Sequence, residues 1–162
     1  MRDAPDTARE AEAVRLGALT GSLGFLLRLA QLASFREFFE DLDGLGVRPG
    51  EITVLMLIGE NPGIRQGVLA RRLMIKRAHM TKMVRAMEES GLVKRTVPED
   101  DRRSVELWLS AEGAARLEAL GAPFLAHETR PARGLTAREE RELKRLLRKY
   151  LDLPEPTQGG RP

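Results

Sequence analysis

Apolar residues recur at Leu16, Leu19, Leu23, Leu26, Leu27 and Ala30, then at Phe35, Phe38, Phe39 and Leu42. That spacing predicts one long helix, or two with a kink near Gly21 or Gly24, ending at Asp43 and Gly44. Thr7 and Glu10 stand at capping-box spacing ahead of it. The apolar surface is wider than a single core-facing stripe, so the helix is either clasped within its own domain or buried against a second chain. Pro49 suits the first turn of the next helix, which carries Ile52, Leu55, Met56 and Gly59 and is stopped by Asn61, Pro62 and Gly63. A short helix over residues 66–73 turns Val68, Leu69 and Leu73 inward. After a turn at 74–76, a helix over 77–90 has Met80, Met83, Val84 and Met87 as its inner face, and Gly91 ends it.

The period then changes from 3.6 to 2. Residues 92–97 read as a strand and residues 105–109 as its partner, with Val105, Leu107 and Leu109 on one face. The polar residues 98–104 join them as a hairpin. Ser110 is placed to cap a helix reaching about residue 126. Thr136 and Glu139 form a second capping box for a last helix to about Tyr150, with an apolar row at Leu143, Leu146, Leu147 and Tyr150. The Pro- and Gly-rich residues 154–162 read as a disordered tail.

The 162 residues suit one domain with extra arms. With no cysteine, disulfide scaffolds, thiolate metal sites, cysteine nucleophiles and thiol switches are excluded. The longest clean apolar run, residues 54–58, is far short of the ~20 residues of a membrane span. The polar N-terminal stretch has no signal-peptide core, so a cytoplasmic location is expected. Charge is uneven. Residues 65–103 hold eleven Lys and Arg against five Asp and Glu, a net of +6, while residues 1–64 net −4 and residues 104–162 net +1. A basic middle of this kind points to a polyanion partner.

Three short helices followed by a hairpin predict a mainly α fold with a small β-hairpin wing, a winged helix-turn-helix. In such a fold one face of the second helix of the pair anchors to the core and the other meets base edges. The inner positions over 77–90 leave Arg77, Ala78, Thr81, Lys82 and Arg85 outward. Arg and Lys suit guanine O6/N7 or phosphates, Thr81 suits either with its methyl near thymine, and Ala78 allows close approach. His79 fits an exposed edge of the same helix. The hairpin loop holds Asp100, Asp101, Arg102 and Arg103. An arginine at such a tip suits the narrow minor groove, while the acids make sense as braces for the loop backbone or the arginines.

Leu69 to Leu73, the stretch Met87 to Arg95 (Met-Glu-Glu-Ser-Gly-Leu-Val-Lys-Arg), the Asp101-Arg-Arg103 loop, Val105 to Ser110 and Gly113 together resemble the multiple-antibiotic-resistance regulator (MarR) family. The resemblance extends upstream through Leu23 to Arg28 and Ile52 to Ile58, over residues 20–120. It implies a homodimeric, sequence-specific DNA-binding regulator on a pseudo-palindromic operator: a repressor, less often an activator in this family, released by a small aromatic or carboxylate effector. It implies terminal dimerisation helices over 8–45 and 111–152 and a DNA-binding region over 48–110. It implies base or phosphate contact by the helix holding Arg77, Thr81, Lys82 and Arg85, minor-groove insertion by Arg103 and wing support from Asp101; Arg65, Gln66, Lys76, Ala78, His79 and Arg102 complete the expected set of DNA contacts. The family's effector pocket implies Arg28, Leu29, Leu32 and Met56 here; Arg28 suits an anionic ligand or an internal acid such as Glu51.

Arg65 and Lys76 stand where the family commonly has a Ser or Thr cap, a loss typically worth ~1 kcal/mol each. His79 and Met80 replace a small polar and aliphatic pair, so the family's base preference does not transfer. The absent cysteine excludes the family's peroxide-sensing thiol, and Met80, Met83 and Met87 have the spacing of core residues rather than oxidation sensors. His79 and His127 lie in separate helices without a triad pattern, and His127 with Glu128 is too little for a metal site. No enzymatic activity, cofactor or metal is therefore expected. The alternative is an architectural or protein-interaction winged helix that reads no sequence, which salt dependence combined with sequence competition distinguishes.

Overall fold

The computed structural model describes residues 14–42, 46, 49–99, 101–130, 132 and 134–156. The expected capping box at Thr7, the stop at Asp43 and Gly44, and the end of the tail lie outside the described residues. The chain divides into two compact units at Glu37 and Phe38. In the first unit, a 3₁₀ turn (Gly17–Gly21) precedes α1 (Leu23–Asp41). Of the two sequence alternatives, the chain takes the broken one. Ser22 marks the restart, its hydroxyl oxygen accepting the Phe25 amide at 3.4 Å. Leu16, Leu19, Leu23, Leu26, Leu29, Leu32 and Phe35 are each 42–55% exposed.

The second unit holds the last turn of α1, then α2 (Pro49–Glu60), β1 (Ile64–Arg65), α3 (Gln66–Arg72), α4 (Arg77–Glu89), β2 (Val93–Thr96), β3 (Glu106–Leu109), α5 (Ala111–Thr129) and α6 (Ala137–Tyr150). The strands form an antiparallel sheet in the order β1-β3-β2, with Val93 opposite Leu109, Arg95 opposite Leu107 and Ile64 opposite Leu107 on the other side. β1 is a third strand that periodicity cannot reveal, because two residues carry no alternation. It exists because the chain leaving α2 runs along β3, where the Gly63 amide donates to the Leu107 carbonyl at 2.9 Å.

One core cluster joins α2, α3, α4 and the sheet: Val54, Leu55, Ile58, Leu69, Ala70, Met80, Val84, Met87, Val93 and Leu107. Met83 and Leu73 pack against it half-buried, as their positions predict. Val68 does not: it is 42% exposed and the smaller Ala70 is buried in its stead. In this seven-residue helix the inward strip runs through Leu69, Ala70 and Leu73, and Val68 falls outside it. A second cluster, Phe38, Leu42, Ile52 and Leu120 with Met56 and Phe124 against it, joins α1's last turn to α2 and α5. Each fully buried side chain of this size contributes ~1.5–3 kcal/mol.

Ser110 performs the predicted cap and more. Its oxygen accepts the Gly113 amide at 2.9 Å, its hydroxyl donates to the Gly91 carbonyl, and its amide donates to the Leu92 carbonyl at 3.0 Å. The start of α5 is thus pulled onto the chain between α4 and β2. Thr136 and Glu139 form the expected capping box, with reciprocal bonds of 2.8 and 3.3 Å. α5 runs to Thr129, past Pro123 and beyond the expected end. Near its end, His127 Nδ1 and Arg130 Nη2 meet Asp41 Oδ2 at 2.6 and 2.7 Å, and the His127 ring stands edge-on to Phe38. The His127 hydrogen bond, with Arg130 beside it, holds the Asp41 carboxyl below its ordinary value.

Two outcomes are expected. Gly113→Ala places a Cβ against the Leu92 backbone carbonyl, which cannot yield without parting α5 from β2. It should lower stability by about 1–3 kcal/mol in denaturant melts, as overpacking does, while Gly121→Ala, with open space around it, should not. Because the folded Asp41 carboxyl titrates below the unfolded value of 3.8, its stabilisation is present above that value and lost as pH falls through the lower one. Asp41→Asn should therefore destabilise the chain at neutral pH and flatten the loss of thermal stability on acidification below about pH 5.

Candidate nucleic-acid interface

Burial of Met80, Val84 and Met87 turns the opposite face of α4 to solvent, where Arg77, Ala78, His79, Lys82 and Arg85 are exposed. Lys76 is α4's N-cap and Arg65 is α3's; neither supplies a side-chain cap, as the sequence predicts. Met74, in the turn between α3 and α4, takes a left-handed backbone (φ 52°). Thr81 is half-buried. Its hydroxyl donates to the Arg77 carbonyl at 2.9 Å and accepts Gln66 Nε2 at 2.9 Å. Gln66 therefore faces α4 rather than solvent alone.

The wing is the loop between β2 and β3. Asp101 organises it from inside: Oδ1 accepts the Arg103 amide at 3.2 Å, and Oδ2 accepts the Ser104 hydroxyl. Ser104's amide closes the turn on the Asp101 carbonyl at 2.9 Å. Arg65 Nη1 reaches Asp101 Oδ2 at 3.5 Å, tying the wing to the start of α3. The Ser104 hydroxyl first, then the Arg103 amide and the Arg65 charge, hold the Asp101 carboxyl below its ordinary value. An acid in a basic loop thus spends its lone pairs on the loop itself, leaving Arg102 and Arg103 exposed. The exposed Arg65–Asp101 pair contributes little energy on its own, so its role is orientation.

Between wing and α4 lies a cleft of about 310 Å³, lined by Arg65, Gln66, Arg71, Arg77, Thr81 and Arg103 among others. Four arginines converge there and no described carboxylate lines it. Like charges gathered at a concave surface focus a positive potential that a phosphate backbone would neutralise. Arg71 is absent from the sequence-based set. Its position in the Leu69–Leu73 stretch was visible, but only the fold aims it at this cleft. Lys76, Ala78, His79, Lys82 and Arg85 lie outside the cleft along α4, and Arg102 lines a separate open hollow with Val97, Pro98 and Glu99. Arg28, Leu29 and Leu32 are exposed on α1 in the first unit, while Met56 is half-buried against the Phe38 cluster of the second. Among the described residues no helix is long and apolar enough to cross a membrane.

Comparison with known proteins agrees with this geometry. The MarR family model matches residues 47–105, from just before α2 to the residue before β3. The putative transcriptional regulatory protein for the hcr operon of Thauera aromatica is 37% identical over 117 residues, covering 72% of this chain and 70% of that protein. The transcriptional repressor CouR, solved on a 23-mer DNA duplex, superposes with a TM-score of 0.76 at 32% identity, covering 85% of this chain and 98% of CouR. CouR bound to p-coumaroyl-CoA gives a TM-score of 0.75 at 29% identity, covering 85% and 97%. With the winged helix-turn-helix, the braced basic wing and these relatives in agreement, the chain belongs to the MarR family of transcriptional regulators.

Proposed function

We propose that this chain works as a homodimeric repressor that binds a pseudo-palindromic operator, with α4 in the major groove and Arg103 in the adjoining minor groove. The observation that carries the reading is the cleft in which Arg65, Arg71, Arg77 and Arg103 converge between the wing and α4. Arg77, Lys82 and Arg85, with His79 and Ala78 beside them, supply contacts along the groove, while Lys76, Arg65 and Arg102 meet phosphates. CouR's capture on a DNA duplex supports the same use of the same fold here. The work is binding rather than catalysis, and a partner of chromosomal DNA implies a cytoplasmic setting. An architectural role is not favoured, since the relatives are regulators by name.

Dimerisation through the terminal helices is supported by unpartnered apolar surface in each unit: the Leu16-to-Phe35 row in one, and Leu143, Leu146 and Tyr150 of α6 in the other. The proposed division is dimerisation regions over 8–45 and 111–152 around a DNA-binding region over 48–110. For release, CouR's complex with p-coumaroyl-CoA supports a small aromatic or carboxylate effector, with Arg28 of α1 as the cation and Leu29 and Leu32 as its apolar neighbours. A thermal-shift screen of aromatic carboxylates tests this, because binding to the folded state raises its melting temperature.

The central test enriches duplexes from a random pool with the full chain, then measures affinity at two salt concentrations. An enriched site bound at least about 10³-fold tighter than random duplex is expected; an equal affinity for both defeats the reading. Arg103→Ala should weaken that site by roughly 1–3 kcal/mol without lowering the melting temperature, most strongly where A·T steps flank the half-sites. Asp101→Ala should weaken it as well, through loss of loop order, although removal of a negative charge beside DNA acts in the opposite direction. A chain cut after Thr136, lacking α6, should lose the twofold mass that light scattering finds for the intact chain at micromolar concentration.

A further inference from the structure

We propose that Thr81 reads DNA through its methyl group, as a detector of thymine, and that Gln66 is a positioning residue that holds it in that role rather than a DNA contact. The proposal rests on the reading of α4 as the recognition helix. A threonine hydroxyl carries one proton. Thr81 spends it on the Arg77 carbonyl, 2.9 Å away and four residues back in the same helix. The same oxygen accepts Gln66 Nε2 from α3 at 2.9 Å. Exchanging the two ends of the Gln66 amide would hand the proton to Oε1 instead, with the same consequence. No proton is left for the acceptors on the major-groove edge: guanine N7 and O6, adenine N7 and thymine O4.

What remains is one acceptor lone pair, which suits only the amino donors of adenine N6 and cytosine N4, and the Cγ2 methyl. The methyl shares Cβ with the pinned oxygen, so two bonds from two helices fix its direction as well. Thr81 lines the cleft beside Arg77, and the only apolar group on a major-groove edge is the thymine C5 methyl. Gln66 has the marks of a strut. Its Oε1 is buried without a partner, its Nε2 is engaged, and its amide donates to the Val105 carbonyl at 2.8 Å where β3 begins. One residue therefore registers the wing and the threonine of α4 against each other.

The test uses the full chain on the duplex it enriches from a random pool, with each thymine replaced in turn by uracil, which lacks only the methyl. The expected result is one thymine per half-site at which uracil weakens the unmodified chain about fourfold, the effect of ~0.8 kcal/mol for one carbon's burial. Thr81→Val, which has methyls but loses the hydroxyl and with it the Gln66 strut, should keep only a diminished sensitivity, as Gln66→Met does. Thr81→Ser, which retains both hydrogen bonds, should lose it. Gln66→Met should diminish it at the same thymine while melting curves remain cooperative. If uracil is neutral at every position, or Thr81→Ser keeps the full effect, the methyl reading is overturned. If Gln66→Met leaves the effect unchanged, the strut is overturned. If the unmodified chain enriches no sequence, the regulator reading itself falls.

Discussion

α4 and the strands that carry the wing are positioned by one apolar core. Met80 and Val84 of α4 and Leu107 of β3 are all fully buried in the same cluster, with Val54, Ile58 and Leu69 between them. A close-packed interior transmits displacement rather than absorbing it, so α4 cannot roll without shifting the strand that carries the wing. The separation of Arg77 from Arg103 is thereby set by hydrocarbon packing that neither arginine touches. Ser110 and Gly113 extend the same rigidity to α5, since its first turn is bonded to the chain linking α4 with β2.

Charge is built on this frame at a cost. Four arginines around one cleft repel one another, and no described acid lines the cleft to offset them. Asp101 stands nearby but is committed to the wing's own amide and hydroxyl donors, so it stiffens the loop more than it neutralises the surface. The uncapped starts of α3 and α4 act in the same sense, with cations where a hydroxyl acceptor would have added local stability. Stability has been given up at this basic surface. It is recovered in the core behind it.

Apolar surface tells a parallel story at the chain's two ends. Rows of leucine on α1 and α6 stay open, whereas residues of the central helices that share their spacing are closed over. Nothing in the leucines themselves distinguishes the two cases; the difference is whether the chain folds back over them. Asp41, His127 and Arg130, by contrast, form a polar clasp where α1 ends on α5, in a sequence pattern separated by more than eighty positions.

Local chemistry determined that the helices form and most of their faces and ends, although α5 runs past its expected stop and Val68 is not inward. Gly91, the Ser110 cap on Gly113, and Thr136 with Glu139 act within a few residues of themselves, and the switch of period at Leu92 needs no distant partner to announce a strand. The alternation of buried Met80, Val84 and Met87 with exposed Arg77, Lys82 and Arg85 likewise follows from 3.6 residues per turn. Tertiary structure decided what required two distant segments at once. β1 is a strand only because β3 lies beside it, and Val68 is open where Ala70 takes the core position. Arg71 joins the cleft because α3 lies beneath the wing, and Gln66 meets Thr81 across fifteen positions. Periodicity records which side of an element faces inward; it holds no information about which neighbour lies there, and that neighbour governs what each polar side chain has left to offer.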